Sequence, residues 1–264
     1  MGGAMIGSLK GIGPVMLALA GCSVLSASIA VIPQAEFRHL YSLSPTGRVV
    51  IQNLYGDVRI EAWDRDQVLV QAIKKSRDPK RLDDARVIVD STYDSLSIST
   101  QYAGVDAEHP ASVEYRIKVP RNANLENIKV INGGLSISGI AGPVKASSVN
   151  GSIKAEGLEG HAELSTINGQ LEAGFSRLGA ENSISITSVN GPIRLAIPAH
   201  AGANVEARNL SGGITSDVGE TWRAPGGHRM RSPGKKGGAQ IRLHNVNGGI
   251  QIRAVNSRTE RPWS

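Results

Sequence analysis

Glycines recur at intervals of nine residues through the middle of this sequence. The strict series consists of Gly133, Gly142, Gly151, Gly160 and Gly169. An asparagine precedes every second member, and looser copies of the pair follow, so the Asn-Gly pairs comprise Asn132, Gly133, Asn150, Gly151, Asn168, Gly169, Asn190, Gly191, Asn247 and Gly248. Self-similarity at a fixed period is the mark of a repeat architecture. The spacing therefore predicts a chain that turns a corner every nine residues.

The residues between the glycines alternate between apolar and polar types. The segment from Ile131 to Ile137 is apolar at its first, fifth and seventh positions. Such alternation predicts a β-strand with one buried face, and about five strand residues per unit would span about 16 Å. The predicted fold is all-β, a β-solenoid of stacked 18-residue coils with two strands per coil. The predicted inward positions are Leu135, Ile137, Val144, Ala146, Ile153, Ala155, Ala162, Leu164, Leu171 and Ala173.

Two nine-residue units make one coil, which places the Asn-Gly pairs at the same corner of successive coils. Asn and Gly accept the positive φ that a tight corner needs. Stacked asparagine amides can also hydrogen-bond from one coil to the next. The alternative is a set of separate Asn-Gly hairpin turns in an antiparallel sheet. Separate hairpins have no physical reason to keep a constant period, so the spacing favours stacked coils.

The other parts of the chain are placed around this repeat. Residues 46–124 alternate in the same way and are predicted to form a β-rich N-terminal part or cap of the solenoid. Within them, Asp78 followed by a proline predicts the N-cap of one short helix. The repeats extend over residues 125–255. Residues 219–239 break the period and are predicted to be an exposed basic Gly/Pro loop, and residues 256–264 form a tail.

The N-terminal segment has the pattern of an export signal. Lys10 is followed by residues 11–35, which carry no charged side chain. The stretch "LAGC" ending at Cys22, the one cysteine of the chain, resembles a bacterial lipobox. This resemblance implies a signal peptide over residues 1–22, acylation of the Cys22 thiol, and a tether over residues 23–45.

Two alternatives to lipidation stay open. Ordinary signal peptidase could cut after Ala30, or the uncharged segment is long enough to remain as a membrane-spanning anchor. All three interpretations place the body of the protein outside the cytoplasm. The lipoprotein interpretation predicts a membrane-anchored envelope protein, in the outer membrane if the organism has two.

Positive charge is concentrated near the C-terminus. Residues 222–264 contain nine Lys/Arg and one acidic residue, a formal charge of +8 (nine minus one). The whole chain carries +6, so the rest of it is nearly neutral, at −2 (six minus eight). Such a segment attracts polyanions, and the candidate anion-binding residues are Arg229, Arg231, Lys235 and Lys236. Few aromatic residues are interleaved with these cations, and the export signal disfavours cytoplasmic targets, so no nucleic-acid partner is expected. The alternative is a solvated loop without a ligand.

No catalytic or metal-binding pattern emerges from the sequence. The acids between Asn127 and Val218 occupy scattered repeat positions, and the six histidines lack the spacing typical of zinc sites. No calcium-binding nonapeptide, nucleophile elbow or phosphate loop is present. We therefore predict no enzyme activity, cofactor or metal. A polysaccharide-active enzyme on a β-helix scaffold is the alternative, and converging carboxylates in a groove would support it.

Three segments together resemble a known family. The stretches beginning "VVIQNLYGDVRI", "YRIKVPRNANLENIKVINGG" and "GGAQIRLHNVNGG" are similar to the DUF4097 "putative adhesin" family of bacterial envelope proteins, over most of residues 46–254. The resemblance implies an extracytoplasmic β-solenoid with a binding or structural role and no catalytic motif. A further alternative is an envelope assembly or scaffolding subunit, because the ends of stacked sheets expose unpaired strand edges.

Overall fold

The computed structural model describes residues 34–103, 110–218, 220–224, 226–234 and 238–256. Regular structure in these residues is almost entirely strand. The strands in chain order are β1 Gln34–Ser42, β2 Arg48–Tyr55, β3 Val58–Trp63, β4 Gln67–Lys75, β5 Ala85–Ser91, β6 Ser95–Tyr102, β7 Ser112–Pro120, β8 Asn124–Asn132, β9 Leu135–Ser138, β10 Val144–Asn150, β11 Ile153–Leu158, β12 Ala162–Asn168, β13 Leu171–Phe175, β14 Ser183–Asn190, β15 Ile193–Pro198, β16 Asn204–Ser211, β17 Ile214–Ser216, β18 Glu220–Ala224, β19 Gly227–Ser232, β20 Gln240–Asn247 and β21 Ile250–Val255.

The strands form two sheets that alternate along the repeat region. Sheet A has ten strands, in the order β1-β4-β7-β3-β9-β11-β13-β15-β21-β17, and sheet B has eleven, in the order β18-β19-β16-β20-β14-β12-β10-β8-β2-β6-β5. The central strands of both sheets pair in parallel, and so does the pair β21–β17 at one end of sheet A. The pairs at the other end of sheet A and at both ends of sheet B are antiparallel. The all-β class predicted from the alternation is correct.

The Asn-Gly pairs join strands of different sheets, so each is a corner between two sheets. β8, for example, belongs to sheet B and leads through the corner at Asn132 into β9 of sheet A. The hairpin alternative is therefore wrong. Two strands joined at such a corner are called a coil here, and consecutive coils pair with an offset of 18 residues, as Val144 pairs with Ala162. A four-residue insertion raises the offset to 22 at the next pair, between Ala162 and Ile184.

One hydrophobic core contains residues of both sheets. Every position predicted to face inward is buried, including Leu135 and Ile137 of sheet A and Val144 and Ala146 of sheet B. Many of these side chains are small, and aromatic residues make up 4% of the chain. Close packing of two sheets leaves little space for rings, which accounts for the scarcity of aromatics.

The coils are not stacked in the order of the sequence. The first coil, β2–β3, lies between β6–β7 and β8–β9, and the last coil, β20–β21, lies between β14–β15 and β16–β17. Because β2 pairs with β8 and β3 pairs with β9, both sheets continue across the predicted boundary at residue 124. The terminal coils are therefore each inserted one position from an end of the stack.

Part of the predicted tether is wrong. Residues 34–42 form β1, which pairs antiparallel with β4 over its whole length. The sequence of β1 lacks the alternation of apolar and polar residues because eight of its nine residues are exposed. A strand without a buried face does not need such alternation. The short helix predicted at Asp78 is a 3-10 helix over Pro79–Asp83, and the Asp78 side chain accepts a hydrogen bond from the backbone N–H of Lys80.

Buried polar side chains lie directly beneath the corners. Asn53 Nδ2 donates to the carbonyl oxygens of Gly56 and Val113, each at 2.9 Å. Asn209 Nδ2 donates to the carbonyl oxygen of Gly248 at 2.7 Å. A buried backbone carbonyl without a partner is costly, so these amides stabilise corners that a purely apolar core would leave unsatisfied.

Within the described residues, no helix is both long enough and apolar enough to cross a membrane. The predicted signal peptide, Cys22, the first part of the tether and the tail after residue 256 lie outside those residues.

Candidate anion-binding surface

The corner asparagines form a ladder of amide hydrogen bonds. Asn150 Nδ2 donates to Asn132 Oδ1 at 3.0 Å, and Asn168 Nδ2 donates to Asn150 Oδ1 at 2.9 Å. The same contact, at 2.9 Å, links Asn190 to Asn168 and Asn247 to Asn190. Interior amides therefore use both their donor and their acceptor within the ladder, which ties five coils together along one edge.

Glycine is required at these corners by the close approach of neighbouring coils. A Cβ atom on Gly151 would lie 1.9 Å from the carbonyl oxygen of Gly133. Gly191 also has a φ of 144°, a conformation that other residues rarely adopt. The glycines therefore allow neighbouring coils to approach closely, and the asparagines link those coils by hydrogen bonds.

The basic segment at residues 219–239 is not an exposed loop throughout. Residues 220–224 and 227–232 form the antiparallel hairpin β18–β19, and β19 pairs antiparallel with β16 at the end of sheet B. Met230 is fully buried in the core, whereas Arg229 and Arg231 on either side of it are exposed. The prediction of a loop failed because β16 offers an unpaired edge that this segment completes.

Four arginines lie together on the outer face of sheet B, and we call them the arginine cluster: Arg208, Arg229, Arg231 and Arg242. Arg208 is directly opposite Arg229 in the register of β16 and β19. Opposed residues on one face have Cβ atoms about 5 Å apart, and like charges there destabilise the pair. The strands β16, β19 and β20 carry four Arg and one Glu, a formal charge of +3 (four minus one). The fold therefore concentrates repelling cations at this end of the sheet.

Glu206 lies in the middle of the arginine cluster. It is opposite Arg231 on β19 and opposite Arg242 on β20, and Arg208 Nε donates to its Oε1 at 3.0 Å. The hydrogen bond from Arg208, together with the charges of Arg208, Arg231 and Arg242, lowers the pKa of the Glu206 carboxyl below its ordinary value. One carboxylate thus faces three guanidinium groups, which leaves cationic groups in excess.

A depression of about 350 Å³ opens beside these residues. Its polar lining combines Ser185, Thr187 and His244 with Glu206, Arg208 and Arg242. Guanidinium groups are planar donors that suit phosphate and carboxylate oxygens, and hydroxyl and imidazole groups add further hydrogen-bonding capacity. The chemistry of this surface favours an anionic ligand.

The sequence identified half of this cluster. Arg229 and Arg231 were predicted, but Arg208 and Arg242 belong to distant repeats that only the stacking brings together. The signal available in the sequence was that both residues occupy outward-facing positions in the alternation of apolar and polar residues. Lys235 and Lys236 lie outside the described residues.

The model of the Toastrack DUF4097 family matches residues 122–253, which is half of the chain. The chain belongs to this family. No curated protein matches the sequence significantly.

One solved structure resembles this DUF4097 chain in fold, and two others align with it at lower scores. A "putative cell adhesion protein" from Clostridium sporogenes is 11% identical, with a TM-score of 0.53 over 84% of this chain and 100% of the other. A "putative adhesin" from Bacteroides fragilis is 11% identical over 83% of this chain and 97% of the other, with a TM-score of 0.43. A "putative lipid binding protein" from Parabacteroides distasonis is 10% identical over 83% and 96%, with a TM-score of 0.33. The first similarity concerns the fold alone, and the other two scores are too low to bear on fold or function.

Most of the acidic residues between Asn127 and Val218 of this DUF4097 chain form ion pairs with Lys or Arg. The ion pairs comprise Glu156 with Lys154, Glu159 with Arg177, Glu163 with Lys145, and Glu206 with Arg208. In the described part of the chain, no three His, Cys, Asp or Glu residues are grouped so that they could hold a metal ion.

Proposed function

We propose that this chain is a non-catalytic binding protein of the cell envelope, whose stacked coils form a β-solenoid that presents the arginine cluster to anionic groups. The observation that supports it most directly is the excess of guanidinium groups around the single carboxylate of Glu206, with Arg208 directly opposite Arg229. A folded sheet gains nothing from opposing Arg208 to Arg229. Rigid stacked sheets are surfaces suited to recognition.

Two observations support the proposed envelope location: the N-terminal sequence and the name of a protein with a similar fold. Lys10, the uncharged residues 11–35 and the "LAGC" stretch ending at Cys22 support export and lipid anchoring. The Clostridium sporogenes protein, which has a similar fold, carries a cell-adhesion name. A surface or envelope location and an adhesive role are therefore the proposal for this chain as well.

The anionic groups in question are phosphates or carboxylates, which occur in envelope lipids and in acidic envelope polymers. Contacts of this kind weaken as salt is added, because exposed charges are screened beyond about 8 Å at physiological ionic strength. Soluble inorganic polyphosphate supplies the same chemistry without a membrane. It is the appropriate probe for the arginine cluster by itself.

The test compares two variants of the full chain that lose the same charge. Changing Arg208, Arg229, Arg231 and Arg242 to Ser should weaken polyphosphate binding at low salt about tenfold or more, since each exposed charge contributes up to about 1 kcal/mol. The control changes four cations that form ion pairs elsewhere: Arg48, Lys145, Lys154 and Arg177. Equal binding by the two quadruple variants in a fluorescence anisotropy titration would show that only net charge matters and would refute the site.

A further inference from the structure

The repeat contains an apolar position that the fold leaves outside the core. This position immediately precedes the corner asparagine, as Ile167 precedes Asn168. The side chains alternate along β12, so that Leu164 and Thr166 are buried and Ile167 is on the outer face. Ile167 is 45% exposed, and Leu210 at the equivalent position of β16 is 57% exposed.

These residues form one continuous row, which we call the aliphatic stripe. One member lies on each of seven neighbouring strands, β16, β20, β14, β12, β10, β8 and β2. The residues immediately before and after each member pair with the corresponding residues of the next strand. At about 4.8 Å per strand, the stripe is about 29 Å long. Its members are the exposed Leu54, Ile131, Ile167 and Leu210 and the half-buried Val149, Val189 and Val246.

The core does not explain the aliphatic stripe. Two residues earlier on the same face, the central strands carry Ser147, Ser165 and Thr187, so this surface accepts polar side chains. Leu and Ile that remain exposed forgo the stabilisation that burial of apolar surface provides. Contiguous exposed apolar surface commonly marks a site of interaction with a partner or a membrane.

Cations adjoin the aliphatic stripe on the same face of sheet B. Arg208 lies two residues before Leu210, and Lys129 lies two residues before Ile131. The rest of the arginine cluster continues from Arg208 onto β19 and β20. Apolar side chains next to Lys and Arg are the combination that binds the boundary between the headgroups and acyl chains of an anionic bilayer.

The composition of the stripe favours lipid over a protein partner. The centres of protein interfaces are enriched in aromatic residues and Met. All seven members of the stripe are Val, Ile or Leu. A row of short aliphatic side chains on a flat sheet offers shallow, unspecific apolar contact, which suits acyl chains.

We propose that the outer face of sheet B lies against an anionic lipid bilayer, with the aliphatic stripe at the boundary between headgroups and acyl chains and the arginine cluster against the lipid phosphates. This inference rests on the proposed function for the arginines and adds to it a lipid surface as the ligand. It also assigns a role to the repeat position that the fold does not use.

The test places a fluorescent reporter in the stripe. Ile167→Trp and Leu210→Trp are made separately in the full chain and reconstituted with vesicles of phosphatidylcholine and phosphatidylglycerol that carry bromine on their acyl chains. The difference from the parent chain isolates the new indole. We expect a blue shift and a loss of emission in anionic vesicles, and a much smaller change in vesicles of phosphatidylcholine alone.

Tyr93→Trp is the matched control, because Tyr93 is 65% exposed and lies in the turn between β5 and β6. That turn is at the end of the strands opposite to the Asn-Gly corners, since Ser95 pairs with Arg48 at the start of β2. Its emission should not respond to brominated lipid. An indole in the stripe that responds no more than the control, or equally in neutral and anionic vesicles, would overturn the inference. The polyphosphate titration separately decides the proposed function, so the two failures are distinguishable.

Discussion

At the scale of single residues, Glu206 controls the net charge of the arginine cluster. Its carboxylate accepts hydrogen bonds from Arg208 and lies opposite Arg231 and Arg242 in the neighbouring strands. An anionic ligand must compete with this internal carboxylate for the same guanidinium groups. Glu206 therefore weakens anion binding while it reduces the repulsion among the arginines.

Glu206→Gln should bind polyphosphate several-fold more tightly than the parent at neutral pH, because one competing negative charge is lost and the shape is kept. The lowered pKa of Glu206 means that its carboxyl stays ionised when an ordinary glutamate, with a pKa of about 4.3, becomes protonated. The advantage of the variant should therefore persist through that pH range and disappear only below it. Titrations from pH 7 to pH 3 would measure this, and equal affinities at pH 7 would contradict the assignment.

At the scale of elements, the β18–β19 hairpin positions the predicted basic residues. β19 alternates buried Met230 with exposed Arg229 and Arg231, and its pairing with β16 sets both arginines beside Arg208. The hairpin thus fixes the arginines of this basic segment on the outer face of sheet B.

Met230→Ala should destabilise the protein by about 2 kcal/mol or more, since truncating a fully buried Met leaves a cavity. It should also weaken polyphosphate binding, because β19 carries two arginines of the cluster. Arg229→Ala, at an exposed neighbouring position, should leave the free energy of unfolding nearly unchanged. Urea denaturation compares the two, and an equal effect on stability would mean that β19 does not pack on the core.

At the scale of the whole molecule, one coil repeat of 18 residues is the length of chain that can be removed. Residues 134–151 comprise β9, the following turn and β10, so their deletion would connect β8 of sheet B directly to β11 of sheet A. Asn132 would then meet Asn168 in the ladder. Residues 134–142 comprise only β9 and its turn, and their deletion would connect two strands that both belong to sheet B.

The 18-residue deletion, residues 134–151, should retain a cooperative thermal transition with a modest decrease in Tm, because every later strand stays in its own sheet. The nine-residue deletion, residues 134–142, should abolish cooperative unfolding, because it assigns strands to the wrong sheets. Circular dichroism melts of both variants would distinguish these outcomes. Similar melting curves for the two variants would exclude a coil with one strand in each sheet.

The sequence alone determined the strand class, the inward positions such as Leu135 and Val144, and the corner glycines, because alternation and period are local properties of the chain. It left the order of the coils undetermined. Every coil presents similar inward aliphatics and, in most coils, the same Asn corner, so the pattern permits any coil to stack on any other. Only the tertiary structure inserted β20–β21 between two earlier coils. That insertion placed Arg242 and Glu206 side by side and, with the hairpin on β16, assembled the arginine cluster.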